Sequence, residues 1–484
     1  MDNYIQIGTL VATYGVEGEL ILRHNLGKKT SFKGVEAFFL ETGFGVGLVR
    51  FPRELVEWAA GECPRQVLLA GLEEADDVLL DEGEPLHFAP SGCVAKTLDF
   101  RTGERRVSTL RDVRECTALN DELPELDVMW TQVSASDVPL DKRELTEYFT
   151  LLTETRKHVT FVDCPTEVDA VLRLCEALAG DLERFRARPR ISTVVTAASP
   201  LQVHGGILDV HVALARHGVP IKIYSMAIAG ATAPVTLAGT VVQGLAEFLG
   251  IATALQVAAP GVRAIFCFGS GVLDMLQTTF SIGCVESALM AAMATEVGHH
   301  VGVPTLSPGI STDARHIGLQ AGYEKAMKAA TVCAASPDIV TGWGLVDSNN
   351  TMSLPQSVVD NEIAGMLRRL NRPLEVSDAT LAIEAFGAVG PGGSFLGLKE
   401  TAKRVRAGEH YLPTVSNRLS FEKWVEDGST EYDTACAQVE ARLAAHAQKA
   451  PYIDGALLDE IAAVCRVDDE AVCRARREGT REDT

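Results

Sequence analysis

The sequence predicts an α/β fold, a (β/α)8 TIM barrel with an N-terminal α+β extension and a C-terminal helical region. Three observations carry that expectation. From about Val128 onward, runs rich in β-branched residues alternate with stretches of helical spacing. About seven such pairs can be counted, and strands that alternate with helices imply a parallel sheet. No GxGxxG follows the first strand and no P-loop lysine motif occurs, so the marks of an open nucleotide-binding sheet are missing.

The units follow in order. "VMWTQVSAS" precedes a helix from Leu140 to Thr155, and "HVTFVDC" precedes one from Glu167 to Leu182. "ISTVVTAAS" leads to Leu201–His217, and "IKIYSMAI" to Pro234–Ala258. "AIFCFGS" leads to Glu286–Val301, "PTLSPGIS" to Leu319–Ala334, and "DIVTGWGLVD" to Gln356–Leu370. An eighth unit is expected around Gly387 to Arg404. This divides the chain into an N-terminal stretch at 1–41, an α+β part at 45–127, a barrel at 128–415 and a helical, charged region at 416–484 that ends in a frayed tail.

Composition bounds the function. A hydrophobic fraction of 46% and a mean hydropathy of +0.10 support a large packed core. A net charge of −21 argues against nucleic acid as the main partner and suits a cationic substrate. The 11 cysteines are scattered without a CxxC pair, the pattern of reduced thiols; neither a disulfide framework nor a metal site is expected. "MDNYIQIG" is not an export signal, so the cytoplasm is the expected compartment. The apolar stretch from Val235 to Val262 is interrupted by Gln243, Glu247, Gln256 and Pro260. It reads as a helix buried against the sheet, with no membrane partner.

In such a barrel, active-site groups follow the carboxyl ends of the strands. That rule selects Ser134, Ser136, Asp163, Ser199, Pro200, Gly269, Ser270, Asp274, Ser311, Thr312, Asp313, Trp343, Asp347 and Ser348. No HExxH and no paired His and Asp beside a nucleophile occur among them. His299 and His300 read as surface residues, and His158, at a strand start, as structural. The site is short of general acid–base groups and suited to binding and orienting a substrate.

"AGATAPVTLAGTVVQGLAEFL", "STDARHIGLQAGYEKA", "SVVDNEIAGM" and "GPGGSFL" resemble the trimethylamine methyltransferase (MttB-like) family. "TGERRVSTLRDV", "TETRKHV" and "RLSFEKWVEDG" extend the resemblance over roughly Val46 to Val464. It implies a TIM barrel that moves a methyl group from an N-methyl amine to the cobalt of a separate corrinoid protein, with no tightly bound cofactor of its own. A homo-oligomer is expected. Val285 and Glu400 depart from the family's proline and histidine. Pyrrolysine, carried by the trimethylamine enzymes, is absent, so the resemblance points to the glycine betaine type. A quaternary amine leaves as a neutral tertiary amine and needs no proton.

On that reading Asp313, Gln320, Glu324 and Asp347 are the catalytic candidates. Trp343, Thr232, Ser270 and Ser348 are the substrate-binding ones. Trp343 offers an aromatic face to the ammonium group, or else packs the barrel. Asp313 supplies charge, or else caps the next helix. The small residues from Ala229 to Pro234 either keep the mouth low for a corrin ring or only make a tight turn. Thr232 caps the following helix, whose free N–H groups suit a carboxylate. Residues 1–41 resemble the start of the ribosome maturation factor RimM, about half of a small β-barrel, and read as a fusion remnant whose strands have those near Gln66–Leu69 as possible partners. A ribosome-assembly role, or a family member with another methyl donor, is the alternative function.

Overall fold

The computed structural model describes residues 9–14, 19–23, 29–30, 37–42, 45–81, 83, 86–163 and 166–477. Eight parallel strands form the central sheet: β1 His87–Phe88, β2 Val128–Trp130, β3 His158–Asp163, β4 Ile191–Thr196, β5 Ile221–Ser225, β6 Ala264–Phe268, β7 Thr305–Ser307 and β8 Ile339–Val340. They pair in the order β2-β3-β4-β5-β6-β7-β8-β1. One seam, between β1 and β2, lacks a ladder, and Asp127 bridges it. Its N–H donates to the Phe88 carbonyl at 2.9 Å, and its carboxylate accepts from the Phe88 N–H at 2.8 Å. Beyond it, Val94 and Val133 form an isolated parallel bridge. The fold is a nearly closed TIM barrel.

A helix follows each strand: α1 Leu110–Glu122, α2 Leu140–Glu154, α3 Val168–Ala179, α4 Gly205–Arg216, α5 Leu237–Ala258, α6 Val285–Val301, α7 Leu319–Ala334 and α8 Leu354–Asn371. Local chemistry sets several ends. A Thr109–Asp112 capping box opens α1. Gly180 and Gly302 end α3 and α6 in the left-handed conformation that a side chain disfavours. Helix α5 is the one described helix long and apolar enough to cross a membrane, but it packs on β5 and β6 and buries 56% of its most apolar window. This is the position of a core helix.

Two expectations are corrected. The first barrel strand is His87–Phe88, inside the 45–127 segment, so the unit expected first is the second. The eighth unit expected at Gly387–Arg404 is absent; that stretch carries the short helices Ile383–Val389 and Lys399–Arg406.

The hairpin Val67–Leu69 and Val78–Leu80 plugs the amino end of the barrel, and its side chains share one core with the interior residues. Farther upstream, Thr9–Tyr14, Glu19–Arg23 and Lys29–Thr30 form a three-stranded antiparallel sheet. Ala37–Thr42 and Gly45–Arg50 form a hairpin, and Gln202–His204, after β4, joins it in parallel. Val67–Leu69 pairs with Val78–Leu80 and, among the described residues, not with the N-terminal strands. After the barrel, α9 (Glu431–Ala447) packs on α8 and α1, and α10 (Gly455–Cys465) packs on α2 and α3.

Candidate active site

Side chains alternate along each strand, so every second residue faces the barrel axis. The inward set includes Val128, Trp130, Val194, Tyr224, Ile265, Cys267, Leu306 and Ile339. Beside these apolar side chains, on β3, β4 and β5, lies a polar group. His158 bonds the Ala70 carbonyl at 3.1 Å and Ser192 Oγ at 2.8 Å. Its burial holds it neutral, well below the usual imidazole range. The structural role expected of His158 fits these contacts. Lys222 Nζ donates to Thr160 Oγ1 and, at 3.2 Å, to Ser192 Oγ. It makes no ion pair among the described residues, and burial pushes its pKa down to about 7.

Two aromatic rings stand above this group, toward the carboxyl end. Lys222 Nζ lies 4.9 Å from the Trp130 ring centroid, and Trp130 meets Tyr224 edge to face at 6.4 Å. The Tyr224 ring needs a glycine beside it: a Cβ on Gly269 would sit 2.3 Å from Tyr224 Cε1. Two residues beyond Tyr224, Met226 is exposed, which marks the transition to the open mouth.

Around the rim, the loops after β7 and β8 are tied into one cluster, and five of the sequence candidates meet there. Asp313 accepts from the Ile282 N–H at 2.9 Å, from Ser348 Oγ at 2.9 Å and from Ser281 Oγ. Glu324 accepts from Thr312 Oγ1 at 2.5 Å, the Asp313 N–H at 2.8 Å and Gln320 Nε2 at 2.8 Å. Asp347 pairs with Arg105 at 2.8 Å and Arg315 at 2.6 Å. Asp347, Ser348 and Asn349 are consecutive left-handed residues, with φ of 59°, 53° and 63°. Such a run is rare outside glycine and persists only where its surroundings fix it. Here the Asp347 and Ser348 N–H groups donate to the Ala314 and Thr312 carbonyls. Each carboxylate in the cluster therefore holds loop backbone, a hydroxyl or an arginine. The arrangement fixes a rigid rim.

The other candidates lie apart. Ser270 is fully buried after β6, its carbonyl accepts from Ser287 Oγ at 2.8 Å, and its own hydroxyl has no partner among the described residues. Trp343 does not face the mouth. Its indole is fully buried in the core between barrel and helices, 6.2 Å from the Phe88 ring, with Leu119 and Val358 in the same cluster. β8 ends at Val340, so the chain has already turned outward at Trp343. Thr232 is not the cap of α5; that position is Thr236. Thr232 Oγ1 accepts from the Ile228 N–H at 2.9 Å and so closes the turn.

The small residues of that turn also find their reason. Ile228–Ala229 pairs with the start of a hairpin, Gly271–Asp274 and Thr279–Ser281. Met275 of that hairpin lies where a Cβ on Gly230 would be, 2.5 Å from its Cε. The hairpin covers the turn, so the tight packing, and not a low open mouth, is what the contacts show. His299 is half-buried and bonds Asp338 at 2.9 Å, so it is no free surface residue. The Asp163 side chain falls outside the described residues.

Sequence reasoning missed Trp130 and Tyr224 because the list of strand-end residues began after each strand. The period-two alternation within "VMW" and "IKIYS" was the available signal. It also missed Glu147 on α2, which is buried and accepts from the Ala135 N–H at 2.7 Å and Ser134 Oγ at 3.3 Å. Burial pushes its pKa up to about 7.

A nearly closed parallel barrel, with loops knitted over its carboxyl end and aromatic rings just inside, has the architecture of a barrel enzyme. The chain belongs to the trimethylamine methyltransferase (MTTB) family, whose family model matches residues 41–470. It is a methyltransferase of that family. Trimethylamine methyltransferase MttB1 of Methanosarcina mazei is 29% identical over 430 residues, covering 88% of this chain and 86% of that one. A glycine betaine methyltransferase of Desulfitobacterium hafniense is 27% identical over 415 residues, covering 84% and 86%. Among solved structures, the monomethylamine methyltransferase of Methanosarcina barkeri aligns with a TM-score of 0.48 at 12% identity, covering 83% of this chain and 82% of that one.

Proposed function

We propose that the protein transfers a methyl group from a quaternary N-methyl amine, such as glycine betaine, to the Co(I) centre of a separate corrinoid protein. It holds no tight cofactor and works in the cytoplasm. The observation that carries the reading is the Trp130–Tyr224 pair inside the carboxyl end of the barrel. A trimethylammonium group has no hydrogen to donate, so an aromatic face or a carboxylate must recognise it. The rim carboxylates are already engaged by N–H groups, hydroxyls and arginines. That leaves the rings. Above pH 7 Lys222, under the indole, is mostly neutral and opposes a cation little.

The chemistry suits such a site. The partner's cobalt supplies the electron pair that forms the new bond to carbon. The C–N bond breaks with its electrons to nitrogen, and a neutral tertiary amine departs. No proton moves, so the protein's task is to orient the methyl group and exclude water. The absence of pyrrolysine supports this substrate class over trimethylamine, and one relative is named for a quaternary amine. The test is product analysis. Glycine betaine and a Co(I) corrinoid protein should give dimethylglycine in equal amount to methyl-cobalt. Methyl-cobalt without the tertiary amine would refute the reading.

A further inference from the structure

From Arg372 to Thr414 the chain forms an arm in which no residue is buried. It is not a polar linker. It carries regular helices, and Leu374, Val376, Ile383, Phe386, Leu396 and Leu412 are each at least 60% exposed. Burial of large apolar side chains is the main term that offsets the entropy of ordering a chain. An ordered segment of this composition, with nothing buried, implies a surface that covers it.

The same chain presents a second uncovered apolar face. On α6, Val285, Leu289 and Met293 recur every fourth residue, and on α7 so do Leu319, Tyr323 and Met327. Residues four apart lie on one side of a helix, and α6 packs against α7, so the two stripes run side by side. Both are exposed.

We infer that the protein assembles as a two-fold dimer in which the arm of each copy covers the α6–α7 stripes of the other. Two facts favour a second copy over the methyl-accepting protein. First, area. The six arm residues, each at least 60% exposed, and the six stripe residues give one chain two broad apolar patches, the scale of a stable interface to which each partner gives roughly 800 Å². Large apolar interfaces belong to permanent assemblies, whereas a carrier that docks and leaves needs a small polar one. Second, position. The arm starts where α8 ends, and there Arg368 reaches Asp127 at 2.6 Å, just ahead of β2. That is the amino end of the barrel, so the arm starts away from the mouth a methyl acceptor must approach, whereas the stripes begin at Val285 and Leu319, the first residues of α6 and α7, on the carboxyl side. In a two-fold interface one surface meets its complement twice, so a single chain has to carry both faces, as this one does.

The test uses the full chain at micromolar concentration in light scattering after size exclusion. The wild type should have about twice the 51.9 kDa chain mass. Phe386→Asp with Leu396→Asp on the arm should give a folded monomer, and so should Leu289→Asp with Tyr323→Asp on the stripes. All four side chains are exposed in a single copy, and circular dichroism checks that helix content is kept. A monomeric wild type would overturn the inference. So would either pair of variants remaining dimeric, or an arm that becomes protected from protease only when a corrinoid protein is added.

Discussion

Trp130 and Trp343 occupy opposite sides of the same barrel wall, and the difference sets what each substitution does. Trp130 faces the axis beside Tyr224, so Trp130→Leu should weaken quaternary-amine binding by roughly thirtyfold, the loss of a desolvated cation–π contact worth about 2 kcal/mol. Trp343 packs on Phe88 outside the axis, so Trp343→Leu should cost about 2–4 kcal/mol of stability and leave the binding constant near the wild-type value. Calorimetric titration and thermal unfolding of the two variants separate these outcomes. Glu147 gives a pH signature. The free carboxyl ionises near 4.5, whereas burial in the fold pushes its pKa up to about 7. The folded state therefore holds the extra proton between those values, and stability falls as pH rises through that window. Glu147→Gln keeps an acceptor for the Ala135 N–H but cannot ionise. It should match the wild type near pH 5 and exceed it at pH 8, by up to about 3 kcal/mol. Equal melting temperatures at pH 8 would mean that water reaches the carboxylate.

At the scale of elements, Thr9–Tyr14, Glu19–Arg23 and Lys29–Thr30 form their own sheet, whereas Ala37–Thr42 pairs with Gln202–His204 in the loop after β4. Removal of residues 1–30 should leave methyl transfer unchanged. Removal of 1–41 strips the neighbour from Gln202–His204 and should lower the melting temperature. Scanning calorimetry and a turnover assay on both truncations check this; equal stability of the two would show that the pairing contributes nothing. The family match begins at residue 41. Strands β2 to β8 were legible because each apolar run is followed by a stretch of helical spacing, even where a short strand or hairpin lies between them. β1 was not. His87–Phe88 is two residues long and stands among other short strands, Val78–Leu80 and Lys96–Leu98, so no longer apolar run marks it. Gly387–Arg404 misled for the converse reason: it has helical spacing but no strand to go with it. In the site, the polar rim could be read from its position after the strands. The inward rings were missed, because the alternation within β2 and β5 leaves the facing side unassigned until the neighbours' register is known.

At the scale of the whole molecule, the barrel is a rigid holder. Its amino end is plugged by Val67, Leu69, Val78 and Leu80, and its loops are tied at the carboxyl end, so a substrate enters and leaves on one side. The net charge of −21 draws in amines that are net cations, and glycine betaine, a zwitterion, is not one of them. Selection falls to the rings and to the leaving group. The central claim is that a quaternary amine donates its methyl to cobalt without proton transfer. The most direct measurement is the visible spectrum of a Co(I) corrinoid protein mixed with this enzyme and either glycine betaine or trimethylamine. The account predicts that the Co(I) band gives way to methyl-Co(III) with the quaternary amine and persists with trimethylamine. Conversion with trimethylamine but not with glycine betaine would contradict it.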